Sequence, residues 1–429
     1  MGISTAIEQA RYHAWFQHND SDGYITVAKK TNSGKFQQYH YQANELATQL
    51  SSWLGEDVYF SQNTFYKPYR SIETIRQLRS LYIDLDFYLF NYDTSWVLGK
   101  LEHEYFKESI PEPNIIIFSG QGMVLIWLLE PVPYKALPLW QAVQEHLLST
   151  LADLGGDPKA ADAARIFRIA GSVNSKNGTE VRAEYRHNYK YELRQIQRDY
   201  LPELDEVINP PKVKRKGRKK KAVQLFNTYR LHYARLMDLV KLVEIRKYEV
   251  TGHREIICFL YRYWLCCYSK DLVEALNQTK LLNSQFTKPL TSKEVERATK
   301  SAEKAYEARS NKEANELAIS KGYPGAGYNL KNTTIIKWLD ITSDEMVHLN
   351  TIIDTKEKGR RKTIANRKMR REQGVKPREE YLKDKQKETN EKKFIIKEAL
   401  DADPNLSIRK LAEITGLSKS AVQRLKKQI

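Results

Sequence analysis

The chain has 429 residues, 41% of them hydrophobic, which is enough for real cores and too many for wholesale disorder. No apolar run reaches the ~18 residues a membrane helix needs, and the start, MGISTAIEQARYHAWF, lacks a signal-peptide pattern, so the expectation is a cytoplasmic protein with no membrane partner. The formal charge is +17, from 70 basic and 53 acidic residues, and its distribution says more than its size.

Residues 1–209 mix strand and helix signals. LYIDLDFYL (81–89) predicts a buried strand, NIIIFSG (114–120) a second and MVLIWLLE (123–130) a third. Gly120-Gln121-Gly122 then makes a tight hairpin. Residues 137–154 have helical periodicity and stop before Gly155-Gly156. EVRAEYR (180–186) predicts one more short strand. The expected fold is an α+β domain, an antiparallel sheet with flanking helices. Neither a Rossmann glycine fingerprint nor a run of βαβ units is present.

A Pro-Pro pair opens PPKVKRKGRKKK (210–221), with eight basic and no acidic residues, and 210–224 reads as a basic linker. Residues 225–310 read as an all-α domain. Residues 311–393 read as a charged helical or linker region, in which 356–393 holds sixteen basic and seven acidic residues. These two stretches carry the whole net charge. Concentrated lysine and arginine, Lys216, Arg218 and Lys219 among them, releases counterions from a nucleic acid backbone. A solvated linker is the plain alternative. Cys258, Cys266 and Cys267 fit neither a disulfide framework nor a paired zinc motif, and read as small apolar residues.

Residues 394–429 read as a helix-turn-helix DNA-binding domain. Ser407 caps a first helix with Ile408, Leu411 and Ala412 on its apolar face, and Gly416 ends it. Ser418 caps a second helix, in which Val422 and Leu425 pack back. Lys419, Ser420, Gln423 and Arg424 then lie on the outer face, where such a helix enters a major groove. A generic helical hairpin has the same pattern.

Asp84 and Asp86 stand two apart in a predicted strand, so both carboxylates project to one side. Like charges held that close are costly unless a cation joins them. Solvated aspartates at a strand end are the bland reading. A second candidate segment is DPKAADAARIFRIAGSVNSKNG (157–178). It offers Asp162 as a third carboxylate, Arg165 and Arg168 on one helical or turn face, and Gly171, Asn174 and Lys176 in a loop. Arginines beside carboxylates suit a triphosphate, and suit structural salt bridges equally.

Together these motifs resemble the archaeo-eukaryotic-type primase-polymerase fold of plasmid and mobile-element replication proteins. The pieces come in that family's order: the strand with Asp84 and Asp86, the hairpin SGQGMVLIW (119–127), and the segment Asp162, Arg165, Arg168, Gly171, Ser172, Asn174, Lys176. TGHREIICFLYRYWL (251–265) and the helices after it look like a primase C-terminal helical module. The resemblance implies that Asp84, Asp86 and Asp162 carry Mg²⁺ or Mn²⁺. It assigns nucleoside triphosphate contacts to Ser119, Gly120, Gly122, Arg165, Arg168, Asn174 and Lys176. It implies origin duplex and single-stranded template as partners. The family's usual hairpin histidine, two residues after the second glycine, is Val124 here. No GxxxxGK[ST] phosphate loop is present, so strand opening falls to a separate helicase. The expected function is replication initiation at an origin with primer synthesis, alongside host replication proteins and in a homo-oligomer. The alternatives are a non-catalytic origin-binding initiator and, further off, a transcriptional regulator.

Overall fold

Met123 to Leu129 are all buried, so this apolar run needs cover on both faces. In the computed structural model, which describes residues 5–31, 36–205, 221–323 and 325–429, it forms the middle of a sheet. The strands are β1 (Ile25–Lys30), β2 (Phe36–Tyr41), β3 (Val58–Ser61), β4 (Thr64–Phe65), β5 (Ile75–Leu85), β6 (Ile115–Phe118), β7 (Met123–Pro133), β8 (Ile166–Arg168), β9 (Val173–Asn174), β10 (Thr179–Glu180) and β11 (Arg182–Tyr185). One antiparallel sheet runs β11-β6-β7-β5-β4 and another β2-β1-β3-β8, while β9 and β10 form a ribbon. The smaller sheet has no counterpart among the predicted elements. The first predicted strand, 81–89, starts earlier at Ile75 and stops at Leu85. Residues Phe87–Phe90 close into a 3₁₀ turn, with Asn91 left-handed behind them.

Helices α1 (Ala6–His18) and α2 (Ala43–Trp53) cover the smaller sheet, where Ala10, Ala14, Leu46 and Leu50 pack on Ile25, Val27 and Phe60. α3 (Thr94–Lys100) follows, then α4 (Leu137–Thr150), which lies on β5. Buried polar groups fix α4 there. The Trp140 indole N–H donates to the Ser80 carbonyl at 2.8 Å. The Gln144 amide donates to the Tyr82 carbonyl and accepts the Tyr82 N–H at 3.2 Å. α4 ends at Thr150, short of the predicted 154, and a separate 3₁₀ turn (Ala152–Leu154) carries the chain to Gly155.

After α5 (Leu193–Tyr200) the chain is helical: α6 (Lys221–Ile245), α7 (Arg254–Ser269), α8 (Leu272–Ser284), α9 (Ser292–Ser310), α10 (Lys312–Ser320), α11 (Asn332–Trp338) and α12 (Ser343–His348). Lys216, Arg218 and Lys219 lie outside the described residues. α7 is the hub. Its residues from Ile257 to Ser269 are all buried, and burial pushes the Cys258 and Cys266 thiols up to about 12. The Tyr261 hydroxyl donates to half-buried Glu73, and Gln278 donates to the Arg70 carbonyl, which ties this helical layer to the sheet layer. Asp238 on α6 accepts the N–H groups of Asn350, Thr351 and Ile352 at 2.5 to 2.8 Å and pins the turn behind α12.

These elements make one unit, Met1–Asp354; a second unit is Thr355–Ile429. The second unit holds α13 (Thr355–Glu372), α14 (Arg378–Ala402), α15 (Ile408–Thr415) and α16 (Lys419–Lys426). Its core is Ile396, Leu406, Leu411, Val422 and Leu425. Ser407 and Ser418 cap α15 and α16, accepting N–H groups three residues on, and Gly416 turns between them at φ 67°. Among the described residues no helix is long and apolar enough to cross a membrane.

Candidate active site

Asp84 sits one residue from the end of β5, opposite Val124 on β7, whose other neighbour is Ile117 on β6. A carboxylate therefore rises from an apolar sheet. Asp86 falls past the strand end, at φ −88° and ψ 47°, so the two aspartates do not share one strand as expected. They are still brought together, because the loop at 155–157 is stitched to this end of β5. The Asp86 N–H donates to the Gly155 carbonyl and the Asp157 N–H to the Asp84 carbonyl, both at 2.8 Å. Gly155 has φ 84°, and a Cβ on it would meet the Asp86 carbonyl carbon at 2.9 Å. A Cβ on Gly122 would meet the Leu85 carbonyl oxygen at 2.5 Å. Two glycines thus let two loops close on the aspartate pair.

The third carboxylate of the cluster is Asp157. Burial first, then the charges of Asp86 and Asp157, push the Asp84 carboxyl up to about 7, against the pull of Arg165 and Arg168. Burial and then Asp157 raise Asp86, against Lys176 and a hydrogen bond from Tyr88. Asp162, the candidate from motif spacing, is engaged elsewhere. It is 1% exposed, paired with Arg165 at 2.6 Å, and accepts the Ala164 N–H at 2.9 Å. Sequence reasoning passed over Asp157, although the Gly155-Gly156 pair before it marks a close backbone approach.

Arg165 and Arg168 bracket an extended strand, β8, so they share no helical face. Both nonetheless line one cavity of about 200 Å³ together with Asp84, Val124, Asp157 and Tyr59. Each has its own acid. Arg165 pairs with Asp162 and with Asp271 at 3.2 Å, and Arg168 pairs with Asp57 at 2.9 Å while lying 4.9 Å over the Tyr59 ring. From α8, Glu274 reaches the same cavity and pairs with Arg70 at 3.0 Å.

Asn174, 4% exposed, donates to the Ser119 carbonyl at 2.7 Å, and its own side-chain oxygen accepts the Lys176 N–H at 3.2 Å. It therefore locks the hairpin to the loop of Lys176. Within the hairpin the Ser119 N–H donates to the Gly122 carbonyl at 3.2 Å, and Gly120 adopts φ 106°. Val124 is 4% exposed and offers no polar atom beside Asp84.

The metal question turns on these carboxylates. Among the described residues no three His, Cys, Asp or Glu side chains are gathered tightly enough to hold an ion. The donor set fits a hard divalent cation all the same. It is oxygen only, and burial with the like charges of Asp86 and Asp157 outweighs Arg165 and Arg168 in raising Asp84, a cost that a bound cation would relieve. A larger cavity, about 680 Å³, is lined by Trp15, Tyr66 and Arg76, but its one lining carboxylate, Asp22, is already paired with Arg76. Charge, not size, marks the smaller cavity. In the second unit, Lys419, Ser420, Gln423 and Arg424 are all exposed on α16.

A curated replication protein from Clostridium perfringens is 43% identical over 339 residues, 79% of this chain and 78% of that protein. The chain belongs to this family of replication proteins. No family model matches the chain. Among solved structures, it is similar to the primase-polymerase domain of cyanophage S-2L, with TM-score 0.35 and 16% identity over 44% of this chain and 96% of that one. It is also similar to the catalytic domain of primase RepB′ in complex with initiator DNA, with TM-score 0.35 and 12% identity over 48% of this chain and 99% of that one.

Proposed function

We propose that this replication protein initiates replication of a plasmid or mobile element and makes or extends primers at the Asp84 cavity. The observation that carries the reading is the carboxylate cluster. Asp84, Asp86 and Asp157 converge at one sheet end, with Asp84 pushed up to about 7 by burial and like charge. Mg²⁺ or Mn²⁺ held by Asp84, Asp86 and Asp157 would supply Lewis acidity toward a 3′ hydroxyl and the α-phosphate of a nucleoside triphosphate. The chain's own part is positional. The glycine hairpin and the stitched loop fix three carboxylates, and Lys176 adds a positive charge beside Asp86. Tyr59 offers a ring at the cavity wall.

In this reading α16 contacts origin duplex through Lys419, Ser420, Gln423 and Arg424, and the basic stretches add salt-sensitive backbone contact. A separate helicase and host replication enzymes complete the reaction, and several copies assemble on the origin. The protein works in the cytoplasm. Val124 favours a second reading, an initiator that binds the origin without polymerising, because a valine offers nothing to a phosphate.

Nucleotide incorporation on single-stranded DNA, with and without primer, in Mg²⁺ and in Mn²⁺, separates the two. The first reading expects incorporation by the wild type and none by Asp84→Ala/Asp86→Ala, with duplex binding intact. Absence of incorporation in both metals, together with replication in cells that survives the double substitution, establishes the second.

A further inference from the structure

The helical layer holds a group of basic side chains that the proposed reaction does not use. His232 and Arg235 lie three apart on α6 and so share a face, and Arg309 comes from α9. All three line a cavity of about 360 Å³ whose other wall is the segment Tyr328-Asn329-Leu330. His232 is 3% exposed and Arg235 is 8% exposed. Arg235 donates to the Leu330 carbonyl at 2.9 Å and to the Asn332 side-chain oxygen at 3.0 Å, and its Nε has no partner. The Nδ1 of His232 has none either. Arg309 interacts with the Tyr263 hydroxyl. Among the described residues, no carboxylate pairs with any of the three. The contrast with Arg165, Arg168 and Arg70, each matched to an acid, is sharp.

A buried guanidinium without a counter-ion, as at Arg235, costs the fold free energy, and Arg309 stands half-buried beside it. Burial first, then Arg309 and Arg235, hold the His232 imidazole well below its usual value. Burial also lowers Arg235, with only Tyr263 opposing. The cavity is large enough for a phosphate group, and a guanidinium fork matches phosphate oxygens. The helix that carries His232 and Arg235 follows directly on the basic run 210–221 in sequence.

We propose that the cavity between His232, Arg235 and Arg309 is an anion site for a phosphate group, supplied either by a nucleoside triphosphate or by the backbone of a single strand. It is distinct from the Asp84 cavity and does not depend on that cavity's activity.

The test uses the full chain in an Asp84→Asn/Asp86→Asn background, so that loss at the carboxylate cluster is not misread. ATP binding is measured by calorimetry and fluorescent oligo(dT) binding by anisotropy. Arg309→Gln is expected to weaken at least one probe about tenfold or more. Leu231→Glu, which places a carboxylate at an exposed rim position, is expected to do the same without touching the packed residues. Loss confined to ATP assigns a free nucleotide, and loss confined to oligo(dT) assigns a strand. Binding of both probes within twofold of the parent in Leu231→Glu and in a folded Arg309→Gln overturns the proposal. Should Arg309→Gln fail to fold, Leu231→Glu decides alone.

Discussion

Two walls of one cavity are built on opposite electrostatic terms. On one wall lie Asp84 and Asp157, with Asp86 adding like charge from beyond the lining, and the carboxyl of Asp84 is forced up. On the other, Arg165 and Arg168 each meet an acid at hydrogen-bond distance, and both are largely buried. Charges that a fold matches internally serve the fold first. Charges left unmatched mark the place where an outside charge is awaited. By that standard the proposed chemistry belongs to the aspartates, and the arginines are in large part the frame.

The sharpest way to break the comparison is Arg165→Ala. It strands buried Asp162 without its partner, and a broken buried pair costs about 3–5 kcal/mol. A urea midpoint should fall accordingly, and an unchanged midpoint would free Arg165 for a nucleotide role. Next comes Asn174→Ala, which removes the clamp on Ser119. Loss of this buried hydrogen bond should cost about 1–3 kcal/mol in the same assay and loosen the loop of Lys176.

Asp84→Asn should act with the opposite sign. A carboxyl whose folded value lies near 7, against an ordinary value near 3.8, binds its proton more tightly folded than unfolded. Its ionisation therefore takes stability away as pH rises from about 4 to about 7. The variant should melt roughly 2–4 °C above the wild type at pH 8. The gap should close near pH 4, and Mn²⁺ should restore the wild type alone. A gap that persists at pH 4 would assign the effect to packing. The smallest effect is expected from Lys419→Ala/Arg424→Ala. Melting should not change, while the salt dependence of duplex binding should lose about two phosphate contacts.

The residues of the site were legible unequally. Asp84 stood out because an aspartate in an apolar strand is a local anomaly, and the hairpin because two glycines flank one residue. The caps of α15 and α16 were legible for the same reason: Ser407, Gly416 and Ser418 act within three residues. Asp157 was not, since its place depends on a hydrogen bond to the Asp84 carbonyl across 73 positions of chain. Asp162 was preferred on motif spacing, and spacing is blind to the ion pair that engages it. The smaller sheet was missed because β2 reads FQQYHY, polar and half exposed at an edge, with little hydrophobic alternation to report it. Arg165 and Arg168 were read as turn neighbours, when pairing with β3 draws the chain between them into a strand.

The central claim is that the Asp84 cluster, completed by Asp157, is a nucleotidyl-transfer site. Its most direct measurement is primer extension on single-stranded DNA in Mn²⁺ by the wild type and by Asp157→Asn, with folding checked by circular dichroism. The account predicts incorporation by the wild type and a loss on the order of a hundredfold in the folded variant. Equal incorporation by the two proteins would remove Asp157 from the site, and none by either would leave an initiator whose carboxylates no longer polymerise.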